Sequence, residues 1–440
     1  MARISLILLA LCAGFPLLAQ DSDALTVASA SGKSSLTLYG TLDAGVAHVD
    51  HSMGFDPYTY QEVGSTVNAH ATKGATGIYN SGISGSRWGL KGGTRIADGY
   101  QAMFLLESAI DLPDGAIANG AQGLALTKST GSNNSADSAL NGQLFSRGAY
   151  FGVMSDKYGT LTIGRHQSLM LDILVPYDTM QGANVFCAIV NSGSYGGGGA
   201  TGNTRIDNSI RYKGHYGSFN FSLLHGFGGV SGISSAKSAD QANVGYESGP
   251  FGVQLAYEGY KDALSLTNGA TIGTIAATAL DTKAYMLAAK YQMGALAIKG
   301  GTEREELTNP SNPSYDATLT SANGQVLSSV NVTAYTKNGK AMQKNLNVYW
   351  LGLAYDMTAH LNAAVSYYLV NQNNFANGLA APGNASSGKS KFYSTLLDYR
   401  FNKAFDLYLA SMTNVVSGGL ASGFVFDTNT VYGLGARYSF

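Results

Sequence analysis

The sequence predicts an all-β membrane protein: a 16-stranded antiparallel transmembrane β-barrel with short periplasmic turns and long extracellular loops. Three observations lead there. Apolar and polar residues alternate with period two in segment after segment, the mark of strands with two different faces. No apolar run of 18 or more follows the N-terminal segment, so helical spans are absent. A chain that still crosses lipid must then close a barrel, because only a closed barrel satisfies every backbone group there. Third, the connections between alternating segments are by turns short and long, and both ends of the pattern fall on the short-turn side.

Composition supports this. Of 440 residues, 12% are charged, about half the roughly 25% of an ordinary soluble domain. Gly numbers 56 and Tyr 27, against 8 Pro. So few charges exclude a coiled coil, and the apolar and aromatic content excludes global disorder. A net charge of −1 leaves no basic footprint for nucleic acid.

The elements follow in chain order. Met1 to Arg3 is a short positive stretch, and Ile4 to Leu18 is apolar and broken by Pro16, too short to span comfortably. Residues 1–19 are expected to be a secretory signal peptide, with Ala19 at the cut; Ala28-Ser29-Ala30 matches the small-residue cleavage pattern better but lies well past the apolar run. Cleavage after Ala19 removes Arg3 and no acid, taking the net charge to −2, and leaves Cys187 as the one cysteine, with no intrachain disulfide. Residues 20–34 are a lead segment, and 35–440 form the barrel domain.

In the first strand Leu36, Leu38, Leu42, Ala44 and Val46 share a face, with Thr37, Tyr39, Thr41 and Asp43 opposite. Phe219, Phe221 and Leu223 alternate with Asn220 and Ser222; Phe251, Val253, Leu255 and Tyr257 oppose Gln254 and Glu258. Leu361 to Leu369 and Tyr393 to Phe401 repeat the pattern, and the chain ends with Tyr432, Leu434, Ala436, Tyr438 and Phe440 on one face. Short turns are expected near 96–99, 156–159, 214–217, 247–250, 293–295, 356–360 and 402–404. Long loops are expected near 50–82, 113–142, 167–206, 231–239, 263–280, 307–343, 372–389 and 416–429. A soluble sandwich also alternates. Segments of 9 to 13 residues, apolar faces that end in Tyr or Phe, and opposite faces that keep Asp, Glu, Arg and Gln favour the barrel. No fixed repeat supports a solenoid.

Motifs of other chemistries fail on context. Gly383-Asn-Ala-Ser-Ser-Gly-Lys-Ser390 fits the P-loop string, but a phosphate cradle must follow a buried strand and open a helix, and Lys391 to Phe401 alternates as a strand. No nucleotide is expected at 383–390, which reads as the tip of a surface loop. Neither H-E-x-x-H nor G-x-S-x-G occurs, and His48 with His51 is too thin a pair for a metal. No catalytic residue, cofactor or metal is expected, and Asp43, Glu107 and Asp398 are read as lumen charges.

Specific segments resemble one family. Ser35-Leu-Thr-Leu-Tyr-Gly-Thr-Leu-Asp-Ala-Gly45 is similar to the opening strand of Gram-negative general porins, especially the β-proteobacterial branch. Ser86-Arg-Trp-Gly-Leu-Lys-Gly92 resembles the second strand of that family. Phe145-Ser-Arg-Gly-Ala-Tyr-Phe-Gly152 and Tyr158-Gly-Thr-Leu-Thr-Ile-Gly-Arg165 resemble the fourth and fifth, and Asn208-Ser-Ile-Arg-Tyr212 the strand after the third loop. The ending Tyr438-Ser-Phe440 matches the signature that the barrel-insertion machinery reads.

The resemblance implies a homotrimer in the outer membrane of a Gram-negative cell, among lipid and lipopolysaccharide, each barrel a water-filled pore narrowed by an inward-folded third loop. It makes Arg87, Arg147, Arg165 and Arg205 the basic side of the constriction. Asp178, and more weakly Asp172, become the acids of the third loop that face them. The Pro-Glu-Phe-Gly run of many relatives is missing, Tyr195-Gly-Gly-Gly-Gly199 stands in that loop, and Thr41 replaces a first-strand lysine of enteric relatives. Passive diffusion of small hydrophilic solutes and ions is expected, with a weak anion preference. A substrate-specific channel or a surface adhesin is the alternative.

Overall fold

The computed structural model describes residues 25–51, 72–113, 115, 144–183, 185–187, 205–228, 234–235, 238–261, 281–308, 343–374, 387–421 and 425–440, and four strand fragments between 321 and 341. The expected signal peptide, the Tyr195–Gly199 run and residues 383–386 lie outside them.

The strands are β1 (Leu25–Ala28), β2 (Ser34–Val49), β3 (Ala75–Asn80), β4 (Arg87–Ala97), β5 (Tyr100–Ala109), β6 (Gly148–Ser155) and β7 (Gly159–Gln167). A helix, α1 (Leu169–Tyr177), precedes β8 (Arg205–Tyr216), β9 (Phe219–Gly226), β10 (Ala239–Ser248), β11 (Phe251–Tyr260), β12 (Asp281–Met293) and β13 (Leu296–Thr308). Two small hairpins follow, β14 (Ser321–Ala322) with β15 (Gln325–Val326) and β16 (Thr336–Lys337) with β17 (Lys340–Ala341). The wall resumes with β18 (Lys344–Asp356), β19 (Leu361–Gln372), β20 (Gly388–Arg400), β21 (Phe405–Gly418) and β22 (Thr428–Ser439).

The main sheet holds 18 strands, all antiparallel to their neighbours, and β22 pairs back onto β2 from Thr41↔Ser439 to Val49↔Val431, which closes it. β3 and β4 are two halves of one lane beside β2, and β1 lies in the lane of β22. That leaves 16 lanes, as the alternation predicts. All seven short turns fall within a few residues of where expected, and the long connections do so except the first, where β3 (Ala75–Asn80) is a wall strand inside the expected 50–82 loop.

The break between β3 and β4 has one cause. Asp43, fully buried, accepts backbone N–H groups of Gly82 (3.1 Å), Ile83 (2.9 Å) and Ser84 (2.7 Å), and the hydroxyl of Tyr408 (2.5 Å). Ser81 turns the chain with φ 61°. Asp43 is therefore a structural acceptor that bends a strand, not the open lumen charge expected from its polar face. Asp398 departs likewise: 3% exposed, it takes a hydrogen bond from Arg400 at 3.2 Å and sits 4.0 Å from Arg437.

The outward faces carry the apolar and aromatic residues. On β18, Tyr349, Leu351 and Leu353 are exposed while the alternating Leu346, Val348 and Trp350 are buried. The inward face departs from expectation on five of the sixteen lanes. On β18 to β22 it is largely apolar, because the third loop folds in and covers it. Met170, Leu174, Tyr177, Met180 and Phe186 of that loop join Met286, Val348, Trp350, Tyr368, Phe392 and Tyr408 in one buried cluster. Each large side chain so covered contributes about 1.5–3 kcal/mol.

The P-loop-like string ends inside a strand. Gly388, Lys389 and Ser390 open β20, and Ser390 points inward, its hydroxyl donating to Asn414 Oδ1 at 2.8 Å. They belong to the wall rather than to a loop tip.

At the end of the chain, Phe440 exchanges backbone hydrogen bonds with Gly40 (2.9 and 3.1 Å), and its ring lies where any side chain at position 40 would stand. Tyr438 stacks on it at 5.9 Å between centroids. Deleting Phe440 removes both bonds at the closing seam. Heat-modifiable barrel recovered from outer membranes is expected to fall several-fold, whereas Lys389→Ala, at the far rim, leaves it near wild type. Equal recovery of the two variants sinks the role given to the terminal residue.

Candidate pore constriction

The third connection, between β7 and β8, places the site. Ser168 caps α1 with its hydroxyl, accepting Leu171 N–H at 3.2 Å. The apolar run Leu169-Met-Leu171 and Ile173-Leu174 seats α1 on β10 to β13, and Leu169 N–H donates to Gln241 Oε1 at 2.7 Å. Pro176 closes the helix, and Trp350 Nε1 donates to the carbonyl of Tyr177 at 3.0 Å.

Seated this way, α1 projects Asp172 toward β8, two lanes from β10 along the wall. There β8 alternates Ser209, Arg211, Lys213 and His215 on its inward face. Arg211 forms an ion pair with Asp172, Lys213 reaches the same oxygen at 3.0 Å, and Gln167 Nε2 donates to the other at 2.8 Å. Burial pushes the Asp172 carboxyl up, but the two cations prevail and hold it below the usual carboxylate range. Beside this pair, His166 lies between the hydroxyls of Thr162 and Ser209, 2.8 Å from each, with its ring stacked on Tyr150.

A second basic group stands on β4 to β6. Arg147 Nε donates to Glu107 Oε1 at 2.7 Å, Arg87 Nε is 3.6 Å from Glu107 Oε2, and Tyr39 OH donates to that oxygen at 2.9 Å. Lys91 lies over the ring of Tyr39, 5.1 Å from its centroid. Glu107 thus fixes the Arg147 guanidinium by a charge-assisted hydrogen bond, while Arg87 is oriented by its donation to Ser84 Oγ (3.1 Å) and the carbonyl of Gly85 (2.7 Å).

The six charged residues named from the sequence divide. Arg87, Arg147 and Asp172 belong to these two groups. Arg165 and Arg205 are almost wholly buried; Arg165 pairs with Asp207 and donates to the carbonyl of Ser146 at 2.8 Å. Asp178 faces away from the arginines. It caps the end of α1, fully buried, and takes hydrogen bonds from Tyr368 OH (2.7 Å), Gly182 N–H (3.1 Å) and Cys187 Sγ (3.3 Å). Burial pushes its carboxyl up, against those donors. Cys187 is thus one of the donors that hold the Asp178 carboxyl.

Arg211 and Lys213 were missed although Asn208-Ser-Ile-Arg-Tyr212 was noted. The signal was available, since period two from Ser209 puts both on one face. The helix, and the contacts of Asp178, had no such signal.

The sequence model of the Gram-negative porin family matches residues 6–419. The chain belongs to that family. This porin is 25% identical to an outer membrane porin protein of Bordetella pertussis over 94% of its own length and 96% of that relative. Among solved structures it is similar to the anion-selective porin of Comamonas acidovorans, with 20% identity, TM-score 0.61, and coverage of 93% of this chain and 100% of that one. It is also similar to the trimer form of OmpT of Vibrio cholerae, with 14% identity, TM-score 0.53, and coverage of 93% and 100%. The porin is a multi-pass barrel of the Gram-negative outer membrane and forms a channel there.

The opposite shifts of the two loop acids give a pH prediction. The Asp172 carboxyl is held below its ordinary value, so the stability of its bridge is fully present above about pH 3.9 and is lost as pH falls through the lower folded value. Asp178 is raised, so its packing is most favourable in acid and weakens as pH rises through the raised value. Acid should therefore free Arg211 and Lys213 while the loop stays seated. Anion over cation permeability, from zero-current potentials, is expected to rise as pH drops below 4. Asp172→Asn should show the higher ratio already at neutral pH and little change in that window. A ratio flat with pH in the wild type contradicts this.

Proposed function

We propose that this porin passes small hydrophilic solutes and ions by passive diffusion, with a weak, salt-screened preference for anions. One observation carries the reading. Where the third loop narrows the lumen, Arg87, Arg147, Arg211 and Lys213 stand against two carboxylates, Glu107 and Asp172. The field in a narrow, low-dielectric passage follows local rather than total charge. A unit charge ~5 Å from the axis contributes about 0.8 kcal/mol in bulk-like water, and more near low-dielectric walls. The name of the Comamonas protein, an anion-selective porin, agrees with this sign.

The test is the zero-current potential of purified protein in a planar bilayer under a potassium chloride gradient. Anion preference of several-fold is expected near 0.1 M, where the Debye length is about 10 Å, and little near 1 M, where it is about 3 Å. Conductance should not saturate with any one solute. A cation-selective potential, or saturation by a single sugar or acid, refutes the reading.

The assembly proposed is a homotrimer seated in lipid and lipopolysaccharide, inserted by machinery that reads the terminal Tyr438 and Phe440, after removal of residues 1–19 as a signal peptide. The trimer form of the Vibrio cholerae protein supports the stoichiometry. Unheated samples should run as trimers in SDS and boiled ones as monomers.

A further inference from the structure

The inward face of β5 and β6 carries apolar side chains that have no core to join. Register places Met103 and Leu105 of β5 on the face of Glu107, and Tyr150 and Met154 of β6 beside them, through Leu105↔Tyr150 and Gln101↔Met154. The inward apolar residues of β18 to β22 are sealed under the third loop, but none of these four belongs to that buried cluster. Met154 is 36% exposed, and the other three are half-buried. The inner wall of a water-filled barrel is ordinarily polar, so apolar side chains left open to it call for a use.

Their place suggests one. The strip runs down the two strands toward the short turn between Ser155 and Gly159, with the basic groups of the constriction on either side. On one side Lys91 pairs in register with Leu105, and Arg147 is held by Glu107. On the other, Arg211 and Lys213 stand two lanes beyond β6, across Thr162 and Thr160 of β7. The Tyr150 hydroxyl interacts electrostatically with Glu107 on the first side and with Arg211 and Asp172 on the second. Its ring stacks on His166, 4.8 Å between centroids. Gly148 and Gly152 share this face of β6 and raise no side chain between the apolar ones. Leu105 lies over Gly148, its Cδ2 2.9 Å from where a Cβ would stand. The result is a low apolar track with cations along both borders.

We propose that this track admits organic anions with an apolar body, cyclic and branched carboxylates above all, in preference to hydroxylated anions of the same charge and similar size. The carboxylate follows the cations while the hydrocarbon slides over Leu105, Tyr150, Met103 and Met154 and sheds water from one side. The two methionines, unbranched and polarisable, adapt to bodies of different shape. The proposal rests on the anion-preferring diffusion reading and adds a selection among anions that charge alone does not make. Contact on one side only raises the rate of passage without creating a saturable site.

The test is the bi-ionic zero-current potential of the purified channel at neutral pH. Potassium chloride stands on one side, and the potassium salt of cyclohexanecarboxylate or of shikimate on the other. Both probes are monovalent carboxylates on a six-membered ring, and shikimate adds ring hydroxyls. Covering roughly 40 Å² of apolar surface favours the first by about fivefold, which is the permeability ratio expected. Leu105→Gln combined with Met154→Gln should bring that ratio near one while chloride stays preferred over potassium. Met154→Gln alone, at the most open position, should give part of the drop, and Arg147→Glu should slow both acids alike. Equal permeability of the two acids in the wild type overturns the proposal, as does a preference that survives both glutamine variants. A cation-preferring wild type refutes the anion reading instead, and the ratio of the two acids then still decides the track.

Discussion

Gly352→Val is expected to push the third loop off the wall and cut single-channel conductance, with the barrel still assembled. Gly352 points inward on β18, and a side-chain carbon there would collide with Thr179 Oγ1 of the loop and Ser366 Oγ of β19. A carbon needs about 3.5 Å from its neighbours, so the loop must yield. Its only direction is into the lumen, since Trp350, Tyr368 and the carbonyl of Val365 stand behind it. Overpacking of this kind costs about 1–3 kcal/mol, which a barrel closed by 16 lanes of hydrogen bonds should survive. Trimer recovery near wild type with conductance reduced several-fold is the predicted pair of readings. Unchanged conductance would mean that the loop does not rest on this wall.

The same contact explains what Asp178 does. The loop is held by Tyr368, by Lys299 Nζ donating to the Asp178 carbonyl at 3.2 Å, and by Tyr177 OH donating to Glu247 at 2.8 Å. Tyr368→Phe removes one donor from a carboxyl that no water reaches, a loss of about 1–3 kcal/mol to the seated loop. Asp178 caps the helix that carries Asp172, six residues back, so any effect of Asp178 on selectivity is expected to act through the position of Asp172.

The barrel was legible and the seat of the loop was not, for one physical reason. A strand declares its two faces through its own neighbours, so Leu36-Thr-Leu-Tyr39 or Tyr432-Gly-Leu-Gly435 can be read locally. Asp178 and Tyr368 lie 190 residues apart, and nothing near either announces the other. The inward apolar residues of β18 to β22 made those strands look thinly polar; their partner is a loop far upstream. Asp43 misled in the same way: period two gives the face correctly, but not that three backbone N–H groups of the following segment would consume the carboxylate. Arg165 and Arg205 carry the motif as Arg87 and Arg147 do, but a motif encodes neither their burial nor the pairing with the loop acid Asp172 that sets the equally buried Arg211 apart from them.

That separation predicts which charges set selectivity. Arg147→Glu changes the local charge by two units and leaves Glu107 facing a second carboxylate. Lys213→Glu does the same beside Asp172, at the most exposed cation of the site, 52% open. At ~5 Å from the axis, two unit charges correspond to about 1.6 kcal/mol in bulk-like water, more than a tenfold change in the anion to cation ratio before screening. Each variant should therefore turn the channel cation-preferring at 0.1 M salt and recover toward neutrality at 1 M. Arg205→Gln, at a site 5% exposed, should leave the zero-current potential nearly unmoved and reveal itself, if at all, in the temperature at which the barrel unfolds. If Arg205→Gln shifts the potential as far as Arg147→Glu, the ions pass along a different face of the lumen from the one that Glu107 and Asp172 define.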